Sequence, residues 1–347
     1  MKQSAFFFQK TRRKILCPHM GGHFLSENKE DWVMIEIFKT RDGNLEQVET
    51  VEKDCWISMT NPTPQEIQQI ASMCSVEEDV LKAALDAEER ARIEIEDDYT
   101  LMIVDIPAIE KEVVEKQEKD RFITMPLAIV HLNDYIITVC LVETPVLAQL
   151  RTGRIKGFST HKKTRFILQI FYRVATQFLQ ALRSINRQSE AIEDRLHVSQ
   201  KNKELFELLE LQKSLVYFTT SLRANEGVFE KMMKSEKVRR YPDDEDLLED
   251  VIIENKQAME MANIYNGILS GMVDTFASVI SNNLNIVMKF LATVTIVMSI
   301  PTMIASFYGM NVPLPGHDNP YGFYIVLSFA LLFAGIVALI FHKKDIF

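Results

Sequence analysis

Residues 290–308 read FLATVTIVMSIPTMIASFY, residues 309–320 GMNVPLPGHDNP and residues 321–341 YGFYIVLSFALLFAGIVALIF. Neither apolar run contains a charged side chain, and each matches the roughly 20 helical residues that cross a bilayer core. The connector holds three prolines and no Lys or Arg, so it cannot continue a helix and must turn. Two antiparallel membrane helices follow. Lys289 at the entrance of the first run, and Lys343 and Lys344 behind the second, put both chain ends on the cytoplasmic side and the connector outside.

The first span carries a stripe. Steps of seven, three and four from Asp274 give Ser281, Asn285, Met288, Ala292, Thr295, Ser299, Thr302 and Ser306, nearly all small or polar. Hydroxyls on one face of a membrane helix turn toward protein or water rather than lipid. Small residues also let helices pack closely, and Ser or Thr bonds its own helix, so close packing and a water-filled path both remain open. A chain with two spans encloses no pore alone, so a path requires a ring of subunits.

Tyr308-Gly309-Met310-Asn311, preceded by Asn285-Ile286-Val287-Met288-Lys289 and Pro301-Thr302-Met303-Ile304-Ala305 and followed by the basic end His342-Lys343-Lys344, resembles the CorA family of divalent-cation transporters. The resemblance implies a homopentamer whose first spans line the pore, with Gly309, Met310 and Asn311 as selectivity filter at the outer mouth. Asn311 would hold the cation through its bound waters, which suits magnesium because that ion dehydrates reluctantly. An Asn at this point could also simply cap a helix end. Gly309 is expected to turn the backbone where a side chain could not, and Met310 to pack the turn.

The family pattern, carried inward without gaps, puts pore-facing roles on Thr302, Ser299, Leu291, Met288, Asn285 and Asp274; Thr295 joins them on the stripe. Leu291 and Met288 match an apolar constriction able to close by dewetting. Asn285 would form an inner polar ring, and Asp274 a carboxylate ring that concentrates cations. The chain departs from the family at three places. Ser299 stands where a methionine is common, Pro301 lies one place late, and Val312-Pro313-Leu314-Pro315 replaces the usual acidic loop, leaving His317 and Asp318 to attract cations.

The chain has 347 residues, a formal net charge of −9 and 25% charged residues, enough to build a substantial soluble domain before the spans. Its four cysteines, Cys17, Cys55, Cys74 and Cys140, show no paired spacing, so neither a disulfide framework nor a zinc site is expected. The expected organisation is a disordered extension over 1–33, or else a natural start at Met34, and a cytoplasmic α/β domain over 34–160. A long-helix bundle follows over 161–243, then a stalk helix over 244–308 running into the first span, a loop over 309–320, a second span over 321–341 and a basic cytoplasmic tail over 342–347. The fold class is α+β with a long helical stalk and two C-terminal membrane helices.

Strands are expected at Val33–Phe38, Cys55–Met59, Tyr99–Ile106, Phe122–His131 and Tyr135–Val142. Helices are expected from the Asn61-Pro62-Thr63-Pro64 signal to Met73, over Val76–Leu85, Lys162–Val198 and Glu204–Met233, and from Asp244 to Tyr308. The last would be about 100 Å long at 1.5 Å per residue. The acidic cluster from Asp86 to Asp98 reads either as a solvated surface or as a metal site. Leu85-Asp86, Arg90-Ala91-Arg92-Ile93-Glu94 and Tyr99 resemble the family's cytoplasmic domain. That likeness implies a regulatory magnesium between subunits, held by Asp250 on the long helix. Its usual acidic partner falls on Ala83 here, with Asp86 and Asp79 as substitutes.

No phosphate loop, metalloprotease motif or nucleophile motif is present, so no enzyme is expected, and a nucleic-acid partner is not expected either. Two charges moving inward gain roughly 4.6 kcal/mol per 100 mV. The expected function is therefore potential-driven uptake of magnesium, with cobalt or nickel as further ions, across the plasma membrane, with membrane lipid around the spans and cytoplasmic magnesium feeding back on the gate. The alternatives are a zinc transporter of the same fold and a membrane-anchored helical scaffold.

Overall fold

The computed structural model describes residues 14–16, 35–114, 117–153, 155, 157–199, 202–235, 242–310 and 321–343. The chain divides into two compact units, Met1–Gly271 and Met272–Phe347.

The first unit is built on one mixed sheet. Its strands are β1 (Lys14–Leu16), β2 (Ile35–Arg41), β3 (Asn44–Val48), β4 (Cys55–Thr60), β5 (Arg92–Ile95), β6 (Tyr99–Val114), β7 (Gln117–Leu132) and β8 (Tyr135–Cys140). They run in the order β1-β6-β7-β8-β4-β2-β3, with β5 also on β6, and β4 pairs β8 in parallel. The helices are α1 (Pro64–Cys74), α2 (Glu78–Lys82) with a 3₁₀ turn over Ala83–Leu85, α3 (Pro145–Arg151), α4 (Lys163–Ser199), α5 (Asn202–Lys234), α6 (Pro242–Tyr308) and α7 (Gly322–Lys343).

Local chemistry sets several boundaries. Thr63 and Glu66 close a reciprocal capping box at the start of α1, with Thr63 N–H donating to Glu66 Oε2 at 2.7 Å. Ser75 ends that helix in the left-handed conformation at φ 54°. Asp42 and Gly43, at φ 50° and 82°, form the two-residue turn between β2 and β3, where Arg41 faces Asn44.

The sheet is covered on both faces because its central strands bury both sets of alternating side chains. Cys55, Ile57 and Met59 pack with Leu101, Ile137, Ile67, Ile70 and Leu81 on the side of α1 and α2. On the other face Trp56 stacks on Phe38 at 5.0 Å and tilts against Phe166 of α4 at 5.2 Å. Its Nε1–H donates to Thr138 Oγ1 at 2.9 Å, so the buried indole keeps no unmet donor. Phe218 of α5 meets Phe122 at 6.3 Å and Phe178 of α4 at 5.1 Å.

On the outer side of β6, β5 covers residues up to Ile103 and β1 covers those from Ile109, leaving an uncovered margin between them. Asn225 of α5 reaches this margin. Its Oδ1 accepts from the Asp105 backbone N–H and its Nδ2 donates to the Asp105 carbonyl, both at 2.8 Å. Asp105 thus turns both backbone groups away from its opposite residue Pro126, which has no N–H to offer. Pro107, two residues on, turns its nitrogen to the same uncovered margin, where a strand tolerates proline. Pro126 in turn lies just beyond the last β7–β8 pair, Leu127 with Cys140. Burial pushes the Asp105 carboxyl up to about 6, opposed by a bond from Ser221 that favours its ionised form.

The expected strands and helices appear, with β6 and β7 extending as one long hairpin past the expected ends. Four elements were not expected: β1, the hairpin strand β3, β5 inside the acidic cluster, and α3. Asp42-Gly43 was a readable hairpin signal, and Thr144-Pro145 a readable helix start, with Thr144 Oγ1 accepting from Val146 N–H at 3.3 Å. Within the stretch expected to be a disordered extension, Lys14–Leu16 pairs with Ile109–Lys111; the proposed start at Met34 lies outside the described residues. Cys55, Cys74 and Cys140 are buried free thiols, and burial raises all three, Cys74 to about 11 and Cys140 to about 12. Cys17 lies outside the described residues.

Candidate functional site

In the second unit, the last part of α6 and the whole of α7 are long and apolar enough to cross a membrane. Their large side chains are exposed, among them Phe290, Ile296, Met303, Phe323, Leu331 and Leu339, whereas the small residues Ala330 and Ala334, one turn apart, are buried. That is the pattern of a span that meets protein through small residues and lipid through large ones.

The two sides of α6 differ. Thr293 is 2% exposed. Thr295, two residues on and about 200° around the helix, is exposed, as are Asp274, Ser281, Asn285, Met288, Leu291, Ser299, Thr302 and Ser306. Among the described residues the whole stripe therefore lacks a covering partner. Thr295, Met298, Ser299, Thr302 and Ser306 line an open, shallow groove along it.

Three of the hydroxyls on this face are oriented. Thr295 Oγ1 donates to the Leu291 carbonyl at 2.8 Å, Ser299 Oγ to Ile296 at 2.8 Å and Thr302 Oγ1 to Met298 at 3.1 Å. Each hydroxyl hydrogen is thus committed to the helix, and the lone pairs remain for an outside donor. Pro301 interrupts the ladder here, because it has no N–H for the carbonyl four residues back.

At the outer end, Gly309 N–H donates to Ala305 O at 3.0 Å and Met310 N–H to Phe307 O at 3.3 Å. Gly309 was expected to adopt a turn closed to other residues. Its φ is not positive, and a Cβ there would meet the Ala305 and Ser306 carbonyls at ordinary contact, 3.5 and 3.6 Å. The fold of one chain therefore does not demand glycine at this point. Met310, expected to pack the turn, is exposed. Asn311, His317, Asp318 and Lys344 lie outside the described residues.

A family model described as CorA-like Mg2+ transporter protein matches residues 52–343. The chain belongs to this CorA-like family. It is 25% identical over 299 residues to the cobalt/magnesium transport protein CorA of Methanocaldococcus jannaschii, covering 83% of this chain and 90% of that one. It is 21% identical over 293 residues to the corresponding protein of Thermotoga maritima, covering 83% and 82%. The complete structure of the CorA magnesium transporter from M. jannaschii superposes with a TM-score of 0.77 at 22% identity, over 90% of this chain and 98% of that one. The fold is thus the CorA fold: a soluble α/β domain, a long helix and two C-terminal apolar helices.

The CorA regulatory positions named from the sequence are less built. Asp250 on α6, Asp79 on α2 and Asp86 after the 3₁₀ turn are all exposed, and among the described residues no group of three or more His, Cys, Asp or Glu could hold a metal. Part of the acidic cluster is otherwise engaged: Arg92 bridges Glu89 and Glu94, which also hold its guanidinium above its usual range.

Proposed function

We propose that this CorA-family chain carries magnesium inward across the plasma membrane, as a homopentamer whose α6 stripes face a shared axis, driven by the membrane potential. The observation that carries the proposal is that three exposed hydroxyls of the stripe, Thr295, Ser299 and Thr302, spend their hydrogens on their own helix. Water molecules bound to a divalent cation point their hydrogens outward, so a wall of acceptors suits a hydrated ion. Magnesium, which sheds water reluctantly, gains most from passing hydrated.

In this arrangement Gly309, Met310 and Asn311 form the outer filter, with the Asn311 amide oxygens accepting from ion-bound waters. The glycine serves the crowding of five copies at the mouth rather than the turn of one. Thr302, Ser299 and Thr295 continue the acceptor wall, and Leu291 and Met288 form the apolar gate. Asn285 offers an inner polar ring and Asp274 a carboxylate ring that enriches cations. Both chain ends lie in the cytoplasm, lipid contacts the large side chains of α6 and α7, and transport is the chain's activity in place of catalysis. Cobalt and nickel, hydrated divalent ions of similar size, are further cargo. Cytoplasmic magnesium at Asp250, with Asp86 as the nearest substitute partner, feeds back on the gate.

Magnesium influx into proteoliposomes under an inside-negative potential tests this. Influx that follows the potential and disappears in Asn311→Ala is the expected outcome. Zinc uptake without magnesium uptake would move the chain to a zinc carrier of the same fold, and no flux of any ion would leave only an anchored scaffold.

A further inference from the structure

In the first unit, helix α4 and the β6–β7 hairpin enclose a cavity of about 70 Å³. Its helical wall carries Gln177, Gln180, Ser184 and Arg187, at the spacing of one helix face. Its strand wall is apolar, chiefly Ile109 and Phe122. Burial is graded: Gln177 is 9% exposed at the bottom, Ser184 is half-buried, and Gln180 and Arg187 are exposed at the mouth.

None of these four side chains has a hydrogen bond or ion pair among the described residues. Gln177 is thus a nearly buried residue whose amide bonds no protein group and opens into the cavity. No carboxylate lines the cavity. An uncompensated guanidinium, a hydroxyl and two amides therefore converge over an apolar wall.

We infer that this cavity is a binding site for a small organic carboxylate, whose anionic head meets Arg187 and Ser184 while its short apolar tail lies on Ile109 and Phe122. Gln177 reaches the buried end, and Gln180 closes the mouth. The enclosed volume excludes nucleotides and drug-sized ligands, whose pockets are several times larger. Arg supplies the planar, charge-assisted contact that carboxylates favour.

Equilibrium dialysis of radiolabelled propionate against the detergent-solubilised full chain tests the site. One saturable site per chain is expected. Arg187→Ala should weaken it roughly tenfold or more, as loss of a charge-assisted pair implies, and Gln177→Leu should weaken it as well. Arg183→Ala, which removes an equal charge from the same helix outside the cavity, should leave it unchanged. Absence of saturable binding, meaning a cavity filled by water alone, would overturn the inference. So would equal weakening by Arg183→Ala, or displacement of propionate by inorganic phosphate at equal concentration, since phosphate has no use for the apolar wall. Arg187 is exposed and contacts nothing it must hold in place, so its removal leaves the fold to report on binding alone.

Discussion

Asn225 satisfies both backbone groups of Asp105 with its side-chain amide, at 2.8 Å each way, and so stands in for a missing strand. An amide is the one neutral side-chain group with a donor and an acceptor at this spacing. Asn225→Leu should therefore lower the stability of the solubilised chain by about 2–4 kcal/mol, because two buried backbone groups lose their partners. Asn225→Asp keeps the acceptor and loses the donor, so it should also destabilise, and more so above the carboxylate range. Thermal unfolding of the three proteins at neutral pH checks the order.

The carboxyl of Asp105 itself is held up at about 6, against 3.8 in the open chain. An acid whose folded-state value is raised binds its proton more tightly when folded. Its contribution is fully present below about pH 4 and is lost as pH rises through about 6. Asp105→Asn should thus stabilise the chain at pH 7.5 by about 3 kcal/mol and have little effect at pH 4. A stability difference that is flat across this range would contradict the half-buried placement of this group.

Thr302 and Thr293 separate the two sides of α6. Thr302→Val keeps the shape and removes the acceptor, so magnesium influx should fall roughly tenfold, the effect of about 1.4 kcal/mol at the barrier. Thr293, buried on the far side, should respond to the same change with altered stability and little change in rate once protein amount is normalised. Equal losses in flux would remove the distinction between the faces.

Leu291 is exposed in the single chain and lies where an apolar gate would close by drying. Leu291→Asn wets that ring. Influx should then persist at internal magnesium concentrations that silence the wild type, measured in the same proteoliposomes. A variant that remains fully inhibited would place the gate elsewhere.

Feedback at Asp250 is open to a separate measurement. Asp250→Ala should shift the internal magnesium concentration that halves influx upward by several-fold, with the initial rate at low internal magnesium unchanged. An unshifted curve would leave Asp250 as a surface carboxylate, and Asp86→Ala would then be the informative partner.

The membrane end of this chain was legible because the bilayer imposes a length and a polarity on each span, and both can be read residue by residue from Phe290 to Phe341. The order of strands and long helices was legible from apolar period. The pairing of β4 with β8, and the Asn225 clamp on Asp105, were not, because both join residues far apart in sequence. β5 was hidden because Arg92–Ile95 sits in an acidic run whose charges masked its alternation. The stripe from Asp274 to Ser306 could be listed in advance, but the direction of its hydroxyl hydrogens could not. That orientation depends on the carbonyls of Leu291, Ile296 and Met298, which come within reach of these hydroxyls only once the helix has formed.

The prolines of the long hairpin have a bearing on manufacture in the cell. A membrane protein is synthesised close to many nascent copies of itself, and a sixteen-residue strand with a bare margin invites strands from neighbours to add on. Pro107 withholds the donor such a foreign strand would need, and Asn225 has already taken the adjoining pair at Asp105. Once the hairpin and α5 have folded, the margin is thereby closed to strand addition.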